Sequence, residues 1–218
     1  NYHTFGADAF GYWKFDEVTG SASVSDISGN GYNLSPSVGT ITTDPNVPNV
    51  TGRSLPIGAG SVTVKKTGLT GKIGPNLTIS GWVYFNSLVD DGWGVSIIRL
   101  INSQSTISFS NLYGLGFMVS SSAVRLDAFY DNSSSNYNQT VYDTNIVIGK
   151  WYHVAVTFKS MSTVNDNTDV TLFIDGKQVA KATNVQIPNT QKNVGIITMG
   201  NRTGDAPVSD TGLIVDDL

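Results

Sequence analysis

The chain is divided into short strand-like segments, and none of it repeats with the period of a helix. The segment Leu77–Phe85 alternates between two faces, and 151–158 is rich in the β-branched and aromatic residues that strands favour. An Asp-Gly pair at 175–176 supplies the positive φ angles that a two-residue hairpin turn requires. Glu17 is the only glutamate, and this shortage of helix formers argues against a long exposed helix. About ten short strands without crossover helices predict an all-β fold, a sandwich of two antiparallel sheets.

Charge and composition exclude several kinds of partner. The net charge is −4, only 14% of the residues are charged, and no basic cluster exceeds the pair Lys65 and Lys66. We therefore expect no nucleic-acid partner, because such a partner requires a positive surface. No apolar run is long enough to span a bilayer, so we expect no membrane insertion. The large share of Ser, Thr, Asn and Gly favours a location outside the cell or on a virion surface.

Six segments are more specific as an ordered set than any of them is alone. They are 11–17 (GYWKFDE), 26–31 (DISGNG), 77–83 (LTISGWV), 150–158 (KWYHVAVTF), 172–177 (LFIDGK) and 212–217 (GLIVDD). Together they resemble the laminin-G-like, concanavalin A-like jelly-roll family, in a bacterial or viral branch near the pentraxins. The resemblance implies a jelly roll over residues 10–218, preceded by an extension or linker at 1–9. Family members usually continue past the final Asp pair, so either the last strand is truncated or another chain completes the sheet, and we expect an edge open to a neighbouring domain or chain.

Two polar segments are candidates for a calcium site. Asp26 and Asn30 lie in a glycine-containing turn, and Asp216 and Asp217 lie near the last residue given. Carboxylate, amide and backbone oxygens are the ligands that calcium prefers. The resemblance implies that the first and last strands are neighbours and that a structural calcium lies there. The alternative is that Asp26 and Asn30 cap a turn through hydrogen bonds to the backbone, and the sequence leaves both interpretations open.

The resemblance also implies a carbohydrate ligand, which aromatic rings and polar side chains would hold. Trp93, in a glycine-flanked turn, is the candidate for stacking on a sugar ring. Tyr130 and Tyr137 flank a polar Asn/Ser loop and could form a second rim, while Arg99 and Arg125 could clamp an acidic sugar. The three other tryptophans are expected in the core, and they are Trp13, Trp82 and Trp151.

Residues suited to catalysis are scarce. Glycoside hydrolysis usually needs two carboxyl groups, yet the chain has one glutamate, and Asp127 is the only aspartate that looks strand-borne. There is no cysteine, and His3 and His153 are the only imidazoles, so neither a catalytic triad nor a zinc site is supported. We predict a non-catalytic module that binds a carbohydrate or cell-surface glycan within a larger extracellular or virion-associated protein. The alternatives are a structural or assembly module, such as a part of a phage tail, and, third, a glycan-cleaving enzyme.

Overall fold

The computed structural model describes the larger part of the chain. The described residues are 9–42, 54–57, 63–69, 72–73, 76–87, 95–102, 111–120, 123–131, 137–161, 167–187, 192–200 and 213–218. Strands account for the regular structure in these ranges, which contain no helix and therefore none long enough to cross a membrane. Trp93 lies outside them.

Fourteen strands occur in the described part of the chain. They are β1 (Ser35–Val38), β2 (Leu55–Ile57), β3 (Thr63–Lys66), β4 (Lys72–Ile73), β5 (Leu77–Phe85), β6 (Val95–Asn102), β7 (Asn111–Ser120), β8 (Ala123–Asp131), β9 (Tyr137–Thr144), β10 (Trp151–Ser160), β11 (Asn167–Ile174), β12 (Lys177–Gln186), β13 (Lys192–Met199) and β14 (Leu213–Asp216).

The strands form two sheets in which every described pairing is antiparallel. One is an eight-stranded sheet in the order β1-β3-β13-β6-β7-β8-β9, with β4 also paired to β13. The other is a six-stranded sheet in the order β12-β11-β10-β5-β14-β2. The predicted all-β fold with two antiparallel sheets is therefore confirmed.

The hydrophobic core lies between the two sheets. Phe85 of β5 meets Phe117 of β7 edge to face, with ring centroids 5.1 Å apart. Tyr113 of β7 meets Phe158 of β10 at 4.9 Å. Each pair joins one sheet to the other, and all four rings are almost fully buried. Since side chains alternate along a strand, each sheet also has an outer face that points away from this core.

The last strand lies inside its sheet and has no free edge. Along β14, Leu213 and Val215 pair with β5 on one side and with β2 on the other. Our expectation of an edge open to a neighbouring domain or chain is therefore wrong, because both edges of β14 are occupied. The predicted contact between the first and last segments is confirmed, since the backbones of Trp13 and Leu218 exchange two hydrogen bonds of 2.8 and 3.0 Å.

The tryptophans do not all occupy the core. Trp13 is buried as predicted, but Trp82 is 41% exposed and Trp151 is only partly buried. Val83 faces the core, so its neighbour Trp82 must point to the outer face of the six-stranded sheet. The assignment of Trp82 and Trp151 to the core is therefore wrong.

This division between core and outer face predicts unequal effects for two aromatic residues of the same strand. We expect Phe85→Ala to lower the free energy of unfolding by about 3–5 kcal/mol, because it leaves a cavity between the sheets. The matched variant Trp82→Ala should cost about 1 kcal/mol or less, because much of its side chain is exposed. Urea denaturation of both variants measures the difference, and equal losses would contradict the assignment of faces.

Candidate functional site

The outer face of the eight-stranded sheet carries polar and charged side chains in register with one another. On β8, Leu126, Ala128 and Tyr130 point into the core. Because alternate residues point to opposite faces, Asp127 and Phe129 lie on the outer face. Arg125, two residues before Asp127, lies on the same face and is exposed.

A row of directly opposed residues crosses this outer face over five strands. Lys65 of β3 pairs with Thr198 of β13, and Thr198 pairs with Arg99 of β6. Arg99 in turn pairs with Gly114 of β7, and Gly114 pairs with Phe129 of β8. The row therefore brings together two cations, a hydroxyl group and an aromatic ring from segments that are distant in sequence.

Glycines on β7 create the space for the aromatic ring in this row. A Cβ atom added to Gly114 would lie only 1.7 Å from the ring of Phe129, so no side chain is compatible with the ring in this position. The Phe129 ring also receives the Arg99 guanidinium, whose central carbon lies 4.7 Å from the ring centroid. A cation in this geometry is attracted by the face of the ring. Arg99 is further held because its Nε donates a hydrogen bond to the Ser96 hydroxyl.

Asp127 lies beside this row and is only 3% exposed. Its neighbours in register are Gly116 of β7 and Val141 of β9. Burial raises the pKa of the Asp127 carboxyl to about 7, although the charge of Arg99 acts in the opposite direction. The Oδ1 atom is buried and has no hydrogen-bond partner in the part of the chain that the structure describes.

Thr198 carries a second buried polar atom of this kind on the same outer face. It lies between Ile197 and Met199, which face the core, and its Oγ1 has no hydrogen-bond partner within the described ranges. Buried polar groups are nearly always hydrogen-bonded, so each exception calls for an explanation. Six such atoms occur among the described residues, and two of them, on Asp127 and Thr198, lie on the face that carries Arg99.

The structure describes the side chains of three of the five predicted ligand-binding residues. Arg99 and Arg125 share the outer face of the eight-stranded sheet, as a common site requires. The prediction for Tyr130 is wrong, because its ring is buried in the core and its hydroxyl lies 3.1 Å from that of Thr140. Trp93 lies outside the described residues, and for Tyr137 only the backbone position in β9 is described.

Asp26 and Asn30 form hydrogen bonds mainly with backbone groups of their own loop and of the segment before it. Asp26 Oδ1 accepts hydrogen bonds from the backbone N–H groups of Tyr12 and Ser28, and Oδ2 accepts from the Ser28 hydroxyl and the Tyr32 N–H, all at 2.9–3.0 Å. Burial acts to raise the pKa of Asp26, but these hydrogen bonds outweigh it and hold the pKa below its ordinary value. Asn30 Nδ2 donates to backbone carbonyls. Each Asp26 oxygen accepts two hydrogen bonds, which favours the turn-capping role, and calcium binding by Asp26 and Asn30 stays a prediction.

Asp216 and Asp217 lie close to this loop. Burial, together with the negative charges of Asp217 and Asp16, raises the pKa of Asp216 to about 8. Asp217 is exposed and accepts a hydrogen bond of 2.8 Å from the hydroxyl of Tyr12, whose backbone N–H binds Asp26. No group of three or more Asp, Glu, His or Cys side chains is placed to hold a metal ion among the described residues. Calcium binding here stays a prediction, with Asp216 and Asp217 as the available carboxylates.

A group of four aromatic side chains on the six-stranded sheet was not among the site residues predicted from the sequence. On the outer face of the six-stranded sheet, Trp82 contacts His153 with ring centroids 5.3 Å apart. Two residues further along the same strands, Tyr84 contacts Trp151 with ring centroids 5.4 Å apart. Burial lowers the pKa of His153, although nearby Asp175 acts in the opposite direction. The alternation of Leu77–Phe85 could have indicated this group, because it places Trp82 and Tyr84 on the face of the strand opposite to Val83 and Phe85.

Comparison with known proteins assigns the chain to a family. A laminin-G family model described as the concanavalin A-like lectin/glucanases superfamily matches residues 56–216. The chain therefore belongs to this superfamily, and the predicted concanavalin A-like jelly roll is confirmed. No curated protein sequence matches the chain.

Solved structures with the same fold include a toxin binding domain, a polysaccharide lyase and a carbohydrate esterase. The binding domain of botulinum neurotoxin serotype D/C VPI 5993 aligns with a TM-score of 0.61 and 17% identity, over 94% of this chain but only 46% of that one. An endo-β-1,4-glucuronan lyase from the fungus Trichoderma reesei aligns at 0.53 and 12% identity, covering 94% and 92%. A carbohydrate esterase from the Shiga toxin-encoding bacteriophage phi24B aligns at 0.53 and 14% identity, covering 84% and 87%. Identities this low show a shared fold only.

The contact between the first and last segments leads to a prediction of how calcium would change the thermal stability of the domain. If calcium binds at Asp216 and Asp217, the melting temperature should rise by about 3–5 °C for each tenfold increase in free calcium above the dissociation constant. The variant Asp217→Asn should abolish that rise. As a control, Asp26→Asn should lower the melting temperature equally with calcium and with chelator, because it weakens hydrogen bonds within the loop. A melting temperature that chelator leaves unchanged would contradict calcium binding.

Proposed function

We propose that this domain recognises a carbohydrate without cleaving it, and that the ligand lies on the outer face of the eight-stranded sheet. The observation that carries the proposal is the row across that face, in which five adjacent strands bring Lys65, Thr198, Arg99 and Phe129 into register. Sugar sites need a few fixed polar groups, and this row supplies them, with the buried ring of Phe129 supporting Arg99. The membership in a superfamily of lectins and glucanases supports the same class of ligand.

The buried polar atoms of this face favour a ligand that forms hydrogen bonds. Asp127 Oδ1 and Thr198 Oγ1 are left without partners within the described residues, although each is inside a sheet. Leaving a buried acceptor or donor unpaired costs about 1–3 kcal/mol, and a ligand hydroxyl group would remove that cost if its binding uncovered these buried atoms. Arg99 stands between these two side chains, stacked on Phe129, so its guanidinium can donate without a large loss of conformational freedom.

The absence of cleavage rests on the number of carboxyl groups. Hydrolysis of a glycosidic bond usually uses two carboxyl groups on either side of the bond. On the outer face Asp127 is the carboxyl group whose side chain is described, and the register places Asp143 of β9 opposite Arg125 on the same face, so the proposal holds that these two do not act as a catalytic pair. We further propose that the domain acts outside the cell or on a virion, as part of a larger protein.

Glycan arrays followed by calorimetry test the proposal. We expect Arg99→Ala to weaken binding at least tenfold, because it removes the charge and the contact with Phe129. The control variant Lys177→Ala removes a cation from β12 of the other sheet and should leave affinity unchanged. Failure to bind any neutral or acidic glycan would overturn the proposal and favour a structural or assembly module. Equal affinity of the Arg99 variant and the wild type would show that the ligand binds at a different part of the domain.

A glycan-cleaving enzyme is the second candidate, and one observation favours it. A carboxyl group with a pKa of about 7 suits proton transfer at neutral pH, and Asp127 is such a group. If the domain cleaves glycans, a panel of polysaccharides should release reducing or unsaturated ends, and Asp127→Asn should lower the rate at least a hundredfold. A panel without products supports recognition alone.

A further inference from the structure

Four strands form the edges of the two sheets in the described part of the chain. They are β1 and β9 in the eight-stranded sheet and β12 and β2 in the six-stranded sheet. An edge strand carries N–H and C=O groups that its own sheet leaves unpaired, so a strand of another chain can pair with it. Proteins prevent such pairing with short edge strands, prolines, lysines or bulges. An edge without these features is therefore a candidate for an interface.

Three of the four edges are protected in this way. β1 is four residues long and contains Pro36 beside an irregularity in its register. β2 is three residues long and has Pro56 at its centre. β12 is ten residues long, but its register with β11 shifts at two places, and it contains Lys177 and Lys181. Asn184 of β12 has a φ of 56°, which interrupts the extended backbone of this strand.

β9 has none of these protective features. Its eight residues, YNQTVYDT, include no proline, lysine or arginine, and most are Tyr, Thr or Val, which favour strands. They pair with β8 in one uninterrupted register, from Tyr137 opposite Asp131 to Thr144 opposite Val124. In the part of the chain that the structure describes, no strand pairs with the other side of β9. β9 thus presents a long and regular edge to a strand from outside.

From this comparison of the edges we infer that β9 pairs antiparallel with β9 of a second copy of this chain. A two-fold axis at Val141 places this residue opposite itself and Gln139 opposite Asp143 of the second copy. On the other face of the strand, Thr140 then lies opposite Tyr142. No two like charges of β9 are directly opposed in this pairing, and pairs of β-branched and aromatic residues stabilise a sheet.

The charge of β9 suits a second copy better than a cationic strand of a different chain. Asp143 is the one charged residue of β9, and the register places it opposite Arg125 of β8 in the same chain. A cation therefore already lies beside Asp143 in the register, so the partner strand has no need to supply one. A neutral residue such as Gln139 can occupy the place opposite Asp143, because a side-chain amide donates hydrogen bonds to a carboxylate.

This symmetry decides how the two copies present their surfaces. A two-fold axis perpendicular to the sheet keeps both outer faces on the same side, so the two eight-stranded sheets join into one continuous sheet. The row from Lys65 to Phe129 then occurs twice on one surface, and a polymer that contacts both copies is bound with higher avidity. The pairing itself does not rest on the proposed function, because it uses the backbone of β9 and none of the residues of the row.

Analytical ultracentrifugation of the purified domain tests the pairing. Between about 1 μM and about 1 mM protein, we expect the average mass to rise from 23.2 kDa towards twice that value. Val141→Lys places two cations opposite each other at the axis and should weaken the dimer at least tenfold. In its own chain the new cation lies opposite Asp127, so we expect this variant to fold. The control Thr183→Lys adds the same charge at an exposed position of β12 and should leave the dimer unchanged.

A cysteine at the axis tests the contact directly. The chain has no cysteine, so a single introduced thiol can form a disulfide only with another copy. Opposed residues of antiparallel strands have Cα atoms about 4.5–5.5 Å apart, which is within the range that a disulfide spans. Val141→Cys should therefore give a covalent dimer on mild oxidation, whereas Thr183→Cys at the edge formed by β12 should remain a single chain. Circular dichroism of each variant verifies that it is folded.

Two substitutions of Gln139 test the register of the pairing. Gln139→Asp places a carboxylate opposite Asp143 of the second copy and should weaken the dimer about threefold or more. Gln139→Lys places a cation at the same position and should not weaken the dimer. Equal effects of the two substitutions would contradict a pairing centred on Val141.

The outcomes separate this inference from the proposed function. If the wild type has the mass of one chain at every concentration and Val141→Cys forms no covalent dimer, the pairing of β9 is overturned while the proposed function is unaffected. If the wild type dimerises but Val141→Lys and Thr183→Lys behave alike, the dimer uses a different surface and the inference is wrong. If the dimer forms as described and no glycan binds, the proposed function alone is overturned.

Discussion

The contact between the two sheets is the constraint on which the rest of the molecule depends. Phe85 and Phe117 meet across the core, and Tyr113 and Phe158 do the same further along the strands. Once one side of each strand is committed to this contact, its alternate residues must point to an outer face. The charged row across the eight-stranded sheet and the aromatic group on the outer face of the six-stranded sheet both result from that division. About half of the side chains of each central strand therefore stabilise the core, and the other half lie on an outer face.

The fold was predictable from the sequence because its signals are local. Alternation in Leu77–Phe85, the hairpin turn at 175–176 and the scarcity of helix formers can each be read from a few neighbouring residues. Such a pattern divides a strand into two faces, but it does not tell which face meets the core. Trp82 illustrates the difference, since its strand has apolar side chains on both faces and the larger ring is the exposed one. Tyr130 illustrates the reverse, because a residue beside a polar loop lies in the core.

The candidate site was predictable only in part, because it depends on which strands are neighbours. Arg99 and Arg125 were recognisable as strand-borne cations, but nothing near them in sequence indicates that Thr198 lies opposite Arg99. The strand order that places β13 beside β6 is set by long-range pairing. The same limit explains the wrong expectation for the last strand, whose two neighbours β5 and β2 are more than a hundred residues earlier. For Asp26 the sequence leaves two roles open, and the donors from Tyr12 and Tyr32 that favour the capping role lie outside its own turn or at its far end.

The position of Gly114 has a consequence for how this surface can change over time. Its side of β7 is occupied by the ring of Phe129, and that ring in turn supports the guanidinium of Arg99. A residue that would itself touch no ligand therefore controls the height at which the cation stands above the sheet. A larger residue at this position would displace the ring of Phe129 and with it Arg99, and so would alter the proposed site without changing any charged side chain. A small residue in the middle of a strand can then be as informative about specificity as the polar groups around it.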